Sequence, residues 1–211
     1  PEQTLCVETI QKATLYLSEI NFEADISIES AITCNGSENG SILATANPPL
    51  DGLQYSWVGS SDSLALLDSL SVGDYTISVT TGQGCDATAS ISLEEPPELL
   101  TVVALVSNYN GFGISCANGT DGAVATTATG GIAPYQFQWN TGDTIPNLEN
   151  LTAGQFEVTI TDSMACSNIE TIELQAPTTM TNLSQQSDVT CFGENNGAIT
   201  LIPSGGVAPY N

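Results

Sequence analysis

The stretch from Cys116 to Cys166 contains the segments around which the 211-residue chain is organised. In order, they are Cys116-Ala-Asn-Gly-Thr-Asp-Gly122, Gly130-Gly-Ile-Ala-Pro-Tyr135, Phe137-Gln-Trp139, Gly154-Gln-Phe-Glu-Val-Thr-Ile-Thr161 and Asp162-Ser-Met-Ala-Cys166. Related segments occur in the same order before this stretch and begin again after it. We therefore interpret the chain as a tandem array in which this stretch is the most complete unit.

The cysteines recur at nearly constant intervals. The opening cysteines, at positions 34, 116 and 191, are 82 and 75 residues apart, and closing cysteines follow the first two after 51 and 50 residues. Between them, short runs alternate apolar and polar residues and are separated by turns rich in Gly, Pro and Asn, whereas no run of helical periodicity is long enough for a helix. The pattern predicts an all-β fold of small sandwiches in tandem, with repeats of about 75–80 residues.

The predicted domain organisation has four parts. Residues 1–20 are interpreted as the C-terminal end of an upstream repeat, 21–97 as repeat 1, 98–177 as repeat 2, and 178–211 as the N-terminal part of a truncated third repeat. No segment has eighteen consecutive apolar residues, so no membrane insertion is expected. The N-terminus has no basic region and does not resemble a signal peptide, as expected of a fragment.

The equal cysteine spacings predict one intradomain disulfide in each repeat, Cys34–Cys85 and Cys116–Cys166. Cys6 and Cys191 are then expected to pair outside the fragment. Each bridge would close a loop of about fifty residues and contribute about 4 kcal/mol on the chain-entropy model, which indicates an oxidising, extracellular compartment. The chain has no histidine and no CxxC motif, so thiol ligation of zinc and a histidine-activated catalytic cysteine are both disfavoured.

The charge composition excludes two classes of partner. There are 24 Asp and Glu residues against one basic residue, Lys12, for a net charge of -23. Binding to nucleic acid or to an anionic membrane needs Lys and Arg, so neither partner is expected.

The large aromatic residues occupy matching positions in the two repeats. Trp57 matches Trp139, and Tyr75 matches Phe156. One hypothesis is an aromatic platform for a sugar ring; the other, favoured by the repetition, is one large core aromatic facing inward in each sandwich. Tyr75 also resembles a tyrosine corner, but Phe156 has no hydroxyl, so the corner is not general.

Polar residues that could bind calcium cluster after each opening cysteine, where hard cations would find oxygen ligands. The candidates are Asn118 and Asp121, with counterparts Asn35, Glu38, Asn39, Glu194 and Asn195. The alternative is a tight turn that favours Asx residues and glycine. No pair of carboxylates suggests a catalytic site, so we expect no enzyme activity and no cofactor other than this possible calcium ion.

The ordered set of motifs resembles the SprB repeat of large surface adhesins of gliding and other Bacteroidota. The second repeat carries the set best, through Cys116, Asp121-Gly122, Gly130-Gly131, Pro134-Tyr135, Trp139, Leu151, Gly154, Phe156, Thr161-Asp162 and Cys166. It departs from the pattern at Ala117-Asn118-Gly119, where glycine falls one position late, and the first repeat replaces the glycine pair with Asn47-Pro48-Pro49. The resemblance implies an Ig-like β-sandwich, type IX secretion and a filamentous cell-surface protein, and it carries over no catalytic residue.

The same resemblance implies possible O-glycosylation, because Bacteroidota modify exported proteins at Asp-[Ser/Thr]-apolar sequences. Four such sites occur in predicted loops, with acceptors Ser63, Ser69, Thr144 and Ser163. The alternative is chance matching in a chain rich in Ser, Thr and Asp.

The expected function is that of a non-catalytic stalk segment in a secreted surface adhesin or filament, serving adhesion or gliding motility, with neighbouring repeats as its partners. The alternative is a binding array for carbohydrate or calcium at sandwich loops, with surface glycans or other filament copies as further partners. An exposed Trp57 or Trp139 would favour sugar binding, and ordered oxygen ligands around Asp121 would favour calcium.

Overall fold

The computed structural model describes residues 22–82 and 84–210. The predicted upstream repeat end, including Cys6, lies outside these residues. The chain divides into two compact units, Pro1–Glu98 and Leu99–Asn211, and each is described by itself. The predicted division into repeats at 97/98 falls one residue before this boundary.

The first unit has six antiparallel strands in two three-stranded sheets. One sheet has the order β1-β2-β4 and the other the order β3-β5-β6. With β1–β6 as strands A, B, C, E, F and G, this is the immunoglobulin division of strands without strand D. The strand bounds are β1 Glu23–Ser30, β2 Gly40–Asn47, β3 Gln54–Trp57, β4 Leu66–Leu70, β5 Gly73–Thr80 and β6 Asp86–Leu93.

The inner faces of the two sheets form one apolar core. Ile42 of β2 and Ile77 of β5 are completely buried in it, and Trp57 lies among them. Along β2 and β5 buried residues alternate with more exposed ones, as the period of a half-buried strand requires.

The second unit repeats this architecture. Its sheets have the orders β10-β8-β7 and β12-β11-β9, around a core that includes Ile114, Trp139 and Ile160. The bounds are β7 Leu100–Leu105, β8 Gly122–Thr129, β9 Gln136–Trp139, β10 Asn147–Leu151, β11 Gly154–Thr161 and β12 Ser167–Leu174.

A further antiparallel pair, β13 Thr181–Ser187 and β14 Ala198–Ser204, follows within the second unit. It matches the β7–β8 pair by its position relative to the opening cysteine. The residues described contain neither a helix nor, therefore, a helical membrane span. The predicted all-β fold of tandem Ig-like sandwiches is confirmed.

Candidate functional site

Both tryptophans face the core. Trp57 is 3% exposed and Trp139 is 2% exposed. Each indole N–H donates to a carbonyl in the loop that follows its strand, Trp57 to Leu64 at 2.9 Å and Trp139 to Ile145 at 2.8 Å. Because ring and N–H are both satisfied inside the unit, neither indole is available as a platform for a sugar.

In both units, the loop held by the indole hydrogen bond also carries a candidate glycosylation acceptor, and the two acceptors occupy matching positions. The acceptors are Ser63 and Thr144, and both are exposed. The preceding aspartates are contacted by a hydroxyl two residues earlier: Ser60 Oγ donates to Asp62 at 2.7 Å, and Thr141 Oγ1 donates to Asp143 at 2.7 Å. The two units thus display a matching Asp-Ser/Thr-apolar loop outside the core.

The other two acceptors have different surroundings. Ser69 is exposed within β4 and has a left-handed backbone, with φ of 57°. Ser163 is also exposed, but the aspartate before it, Asp162, is buried. The four sequence matches are therefore not equivalent in structure.

The second pair of matched aromatics differs in its polar contact. Tyr75 is half-buried against the first core, and its hydroxyl donates to the Ser71 carbonyl at 2.8 Å. Phe156 is buried in the second core. The hydroxyl bond of the tyrosine corner is thus present in the first unit.

The loops after the opening cysteines share one hydrogen bond. In each, the residue before the cysteine donates its backbone N–H to the side chain six positions later: Thr33 to Asn39 at 3.2 Å, Ser115 to Asp121 at 3.0 Å, and Thr190 to Asn196 at 3.1 Å. Asn195 is the residue predicted from the sequence as the counterpart of Asp121 in this loop, whereas the structure places Asn196 in that position. The i to i+6 spacing of Ser/Thr and Asx, repeated three times, is the signal that could have identified it.

Asp121 is the residue in these loops that was proposed for calcium. Hydrogen bonds from the Ser115 side chain and backbone hold the pKa of Asp121 below its usual value. Its Oδ1 is therefore already engaged within the loop, and Asn118 is exposed beside it. Among residues 22–82 and 84–210, no group of three or more His, Cys, Asp or Glu side chains is arranged to hold a metal ion.

The closing hairpin of the second unit is organised by Asp162, a residue whose structural role was not predicted. Its Oδ2 accepts from the Ile132 N–H at 2.9 Å, and its Oδ1 accepts from the Met164 and Cys166 N–H groups, each at 2.9 Å. These bonds, the one from Ile132 first, lower the pKa of Asp162. In the first unit Thr81 makes the equivalent bond to the closing cysteine, since Cys85 N–H donates to Thr81 Oγ1 at 3.1 Å.

The predicted Cys116–Cys166 disulfide is wrong. Cys116 is a free thiol, as is Cys191, whereas Cys166 is disulfide-bonded. In the second unit Cys116 lies near the Leu174 end of β12, where Gly113 and Ile114 donate to the Gln175 carbonyl. Cys166 precedes the opposite end of the same strand.

The predicted Cys34–Cys85 disulfide is also wrong, for the same geometric reason. Cys34 and Cys85 are both disulfide-bonded, but they lie at opposite ends of the first sandwich. The β5–β6 ladder runs from the Gly73–Leu93 pair to the Thr80–Asp86 pair, and seven steps of a strand span about 23 Å. Disulfide-bonded residues have Cα atoms less than about 7 Å apart.

Residues 114–144 and 183–211 match the family model of the SprB repeat. The resemblance predicted from the motifs is thus confirmed at these two positions. A comparison with curated proteins finds no match.

Solved structures similar to this chain include the following three. The C-terminal 282-residue fragment of intimin, in complex with the intimin-binding domain of the translocated intimin receptor, has 13% identity and a TM-score of 0.41 over 75% of this chain and 65% of that one. The N-terminal eight Ig domains of Down Syndrome Cell Adhesion Molecule have 14% identity and a TM-score of 0.45 over 79% and 25%. The fibronectin(III)-like modules of Clostridium thermocellum CbhA have 14% identity and a TM-score of 0.30 over 72% and 94%. The chain spans less than two thirds of the first two structures.

Proposed function

We propose that the chain is a non-catalytic stalk segment of a large secreted cell-surface adhesin or filament, in which folded repeats extend the protein for adhesion or gliding motility. The SprB repeat matches at two positions support an adhesin-like repeat protein. The observation that carries the proposal is the burial of Trp57 and Trp139, because the aromatic residues that could bind a sugar instead form the two cores.

The acidic surface fits an extended surface protein. A net charge of -23 over 211 residues keeps neighbouring copies apart by repulsion. It also disfavours binding to anionic surfaces. We propose that the partners of each repeat are first of all its neighbours in the chain, at the cell surface.

A glycan array and a calcium titration of the purified chain test the stalk against a binding array. We expect no saturable binding of any glycan. We also expect the calcium titration of the Asp121→Asn variant to be the same as that of the wild type. Saturable binding of a sugar class, or a calcium isotherm lost in Asp121→Asn and kept in Asp143→Asn, would favour the binding array. Asp143 is a suitable control because it lies in an exposed loop and the substitution changes the charge equally.

We further propose that Ser63 and Thr144 are the O-glycosylated positions. Both are exposed at the same place in successive units, beside a loop that the tryptophan indole holds. Mass spectrometry of the protein from its natural source should show carbohydrate on peptides containing Ser63 and Thr144, and a Thr144→Ala variant should lose one glycan mass while Thr141→Ala retains it. Peptide masses without carbohydrate at both positions would contradict the proposal.

A further inference from the structure

The first and last strands of the second sandwich, β7 and β12, pack against each other but belong to different sheets. Strand β7 forms its backbone hydrogen-bond ladder with β8, and β12 forms its ladder with β11. Each of the two strands therefore lies at the edge of its sheet. In the part of the chain that the structure describes, no backbone ladder joins β7 to β12, so side chains carry the link between them.

Thr101, the buried residue of β7, makes this link. Its hydroxyl donates to Glu170 Oε1 at 2.8 Å and accepts from Asn168 Nδ2 at 2.8 Å. Asn168 and Glu170 lie two residues apart on β12, so they share one face of the strand with Ile172, which packs against the core. The Thr101 hydroxyl is thus satisfied both as a donor and as an acceptor inside the unit.

The first unit has alanine at all three corresponding positions. In the strand registers, Thr101 corresponds to Ala24. Its two partners on β12 correspond to Ala87 and Ala89. These three alanines pack against the apolar core of the first unit. The second unit therefore has a hydrogen-bonded polar group where the first unit has an apolar contact.

The other side chains of β7 attach it only weakly to the core. Val103 is half-buried against the second core, whereas Leu100 and Val102 are exposed. In the first unit the position of Val103 is occupied by Ile26, which is buried. A strand with few buried apolar contacts opens at a lower free energy than the central strands of a core. The hydrogen bonds of Thr101 therefore account for much of the attachment of β7.

We propose that Thr101, Asn168 and Glu170 form a latch that holds β7 against β12, and that β7 is the first strand to leave the second sandwich when the latch breaks. The latch follows from contacts within one unit and does not depend on the stalk. It has one consequence that rests on the proposed function. The chain enters this sandwich through β7 and leaves it through β12, so a pull along a stalk acts on the two strands that the latch joins.

Hydrogen–deuterium exchange of the full chain, followed by mass spectrometry, tests the latch. Thr101→Val keeps the shape of the side chain and removes both hydrogen bonds. We expect the amides of β7 to exchange about tenfold faster in this variant. The matched control is Thr171→Val, since Thr171 is exposed on the opposite face of β12, and it should change the exchange of β7 by less than about twofold. Unchanged exchange of β7 in Thr101→Val, or equal effects of the two variants, would overturn the proposal.

A substitution in the core tests whether β7 leaves the sandwich by itself. Leu148→Val removes one methylene group from a buried side chain on β10, which is separated from β7 by β8. We expect it to speed the exchange of the central strand β11 by about threefold to tenfold and to leave that of β7 unchanged, because β7 opens while this core stays closed. Equal acceleration of β7 and β11 in Leu148→Val would show that the strands open only together, and the proposal would be wrong.

Asn168→Ala tests whether the members of the latch act through one another. Alone, it should speed the exchange of β7, because the Thr101 hydroxyl loses the donor that it accepts from. Added to Thr101→Val, it should speed that exchange no further, because the bond is already absent. Effects that simply multiply would contradict the latch. If Thr101→Val does not fold, the exchange of β7 in Asn168→Ala decides, and an unchanged rate there would overturn the proposal.

Discussion

Asp162 and Thr81 occupy matching positions in the two repeats, but they accept different numbers of hydrogen bonds in the closing hairpin. The Asp162 carboxylate accepts three backbone N–H bonds, including one from Ile132, which follows the Gly130-Gly131 pair, whereas the Thr81 hydroxyl accepts one, from Cys85. An acceptor buried away from water and fully paired stabilises the turn that it binds. The second unit therefore depends on a carboxylate where the first unit depends on a hydroxyl.

This difference predicts an acid sensitivity of the second unit. The folded-state pKa of Asp162 is lowered, below an unfolded value of about 3.9. Its stabilisation is therefore fully present above the unfolded-state pKa and is lost as the pH falls through the folded-state pKa. Asp162→Asn should lower the unfolding midpoint at pH 7, and the difference from wild type should shrink towards pH 2 in thermal melts followed by circular dichroism. Asp143→Asn removes the same charge from an exposed loop and should leave the midpoint unchanged; equal effects of the two variants would contradict this role.

Thr126 on β8 carries a buried hydroxyl. Its hydroxyl is the one side-chain polar atom among the described residues that is buried without a hydrogen-bond partner. An unpaired buried hydroxyl costs about 1–3 kcal/mol. Thr126→Val should therefore raise the free energy of unfolding by about 1 kcal/mol in urea titrations.

Thr127 provides the matched control for this substitution. It lies next along β8 and is exposed on the opposite face, so Thr127→Val should change stability by less than about 0.5 kcal/mol. A loss of stability in Thr126→Val would show that the hydroxyl has a partner in solution.

Strands β2 and β8 each begin with a glycine, because no side chain fits at Gly40 or Gly122. A Cβ atom on Gly40 would lie 2.5 Å from a Leu93 methyl group and 3.1 Å from the Leu70 carbonyl oxygen. The backbone oxygen cannot move aside without disturbing the β2–β4 pairing. This glycine therefore allows the start of β2 to pack closely against β4 and β6.

Gly40→Ala should consequently destabilise the first unit by about 1–3 kcal/mol through overpacking. The matched control is Gly82→Ala, since a Cβ atom there has no neighbour within 4 Å. Chemical denaturation of both variants is the measurement. If the two variants are equally stable, β2 must adjust its position more freely than the packing indicates.

Strands β13 and β14 form an antiparallel pair like that of β7 and β8. Among the described residues, however, no second sheet packs against this pair. Ile199 is 74% exposed, whereas its counterpart Val124 is 1% exposed in the second core. Strand pairing alone therefore does not bury the apolar face of this element; a second sheet must cover it.

Matched substitutions measure this difference. Val124→Ser should cost about 2–4 kcal/mol, because it leaves a cavity and buries a hydroxyl. Ile199→Ser should cost less than about 0.5 kcal/mol, because that side chain already contacts solvent. Urea unfolding of both variants gives the comparison, and a large loss with Ile199→Ser would indicate that the face is covered in solution.

Repeat spacing, turn residues and alternating strands were sufficient to predict the sandwiches from sequence. Ser69 is predicted to lie in a loop, but it lies in strand β4, Leu66–Leu70, where its left-handed backbone interrupts the pleat. The disulfide pairing could not be predicted, because equal spacing does not show at which end of a sandwich each cysteine lies. That information comes from the β5–β6 register.

We propose that the molecule as a whole is a stalk whose matched tryptophans form cores and bind no sugar. Trp57 is 3% exposed and Trp139 is 2% exposed, so acrylamide should quench their fluorescence several-fold less in the folded chain than in the chain unfolded in urea. Addition of glycans should leave this quenching unchanged. Quenching that is as strong in the folded chain as in urea, or fluorescence that a glycan changes in a saturable way, would contradict the stalk.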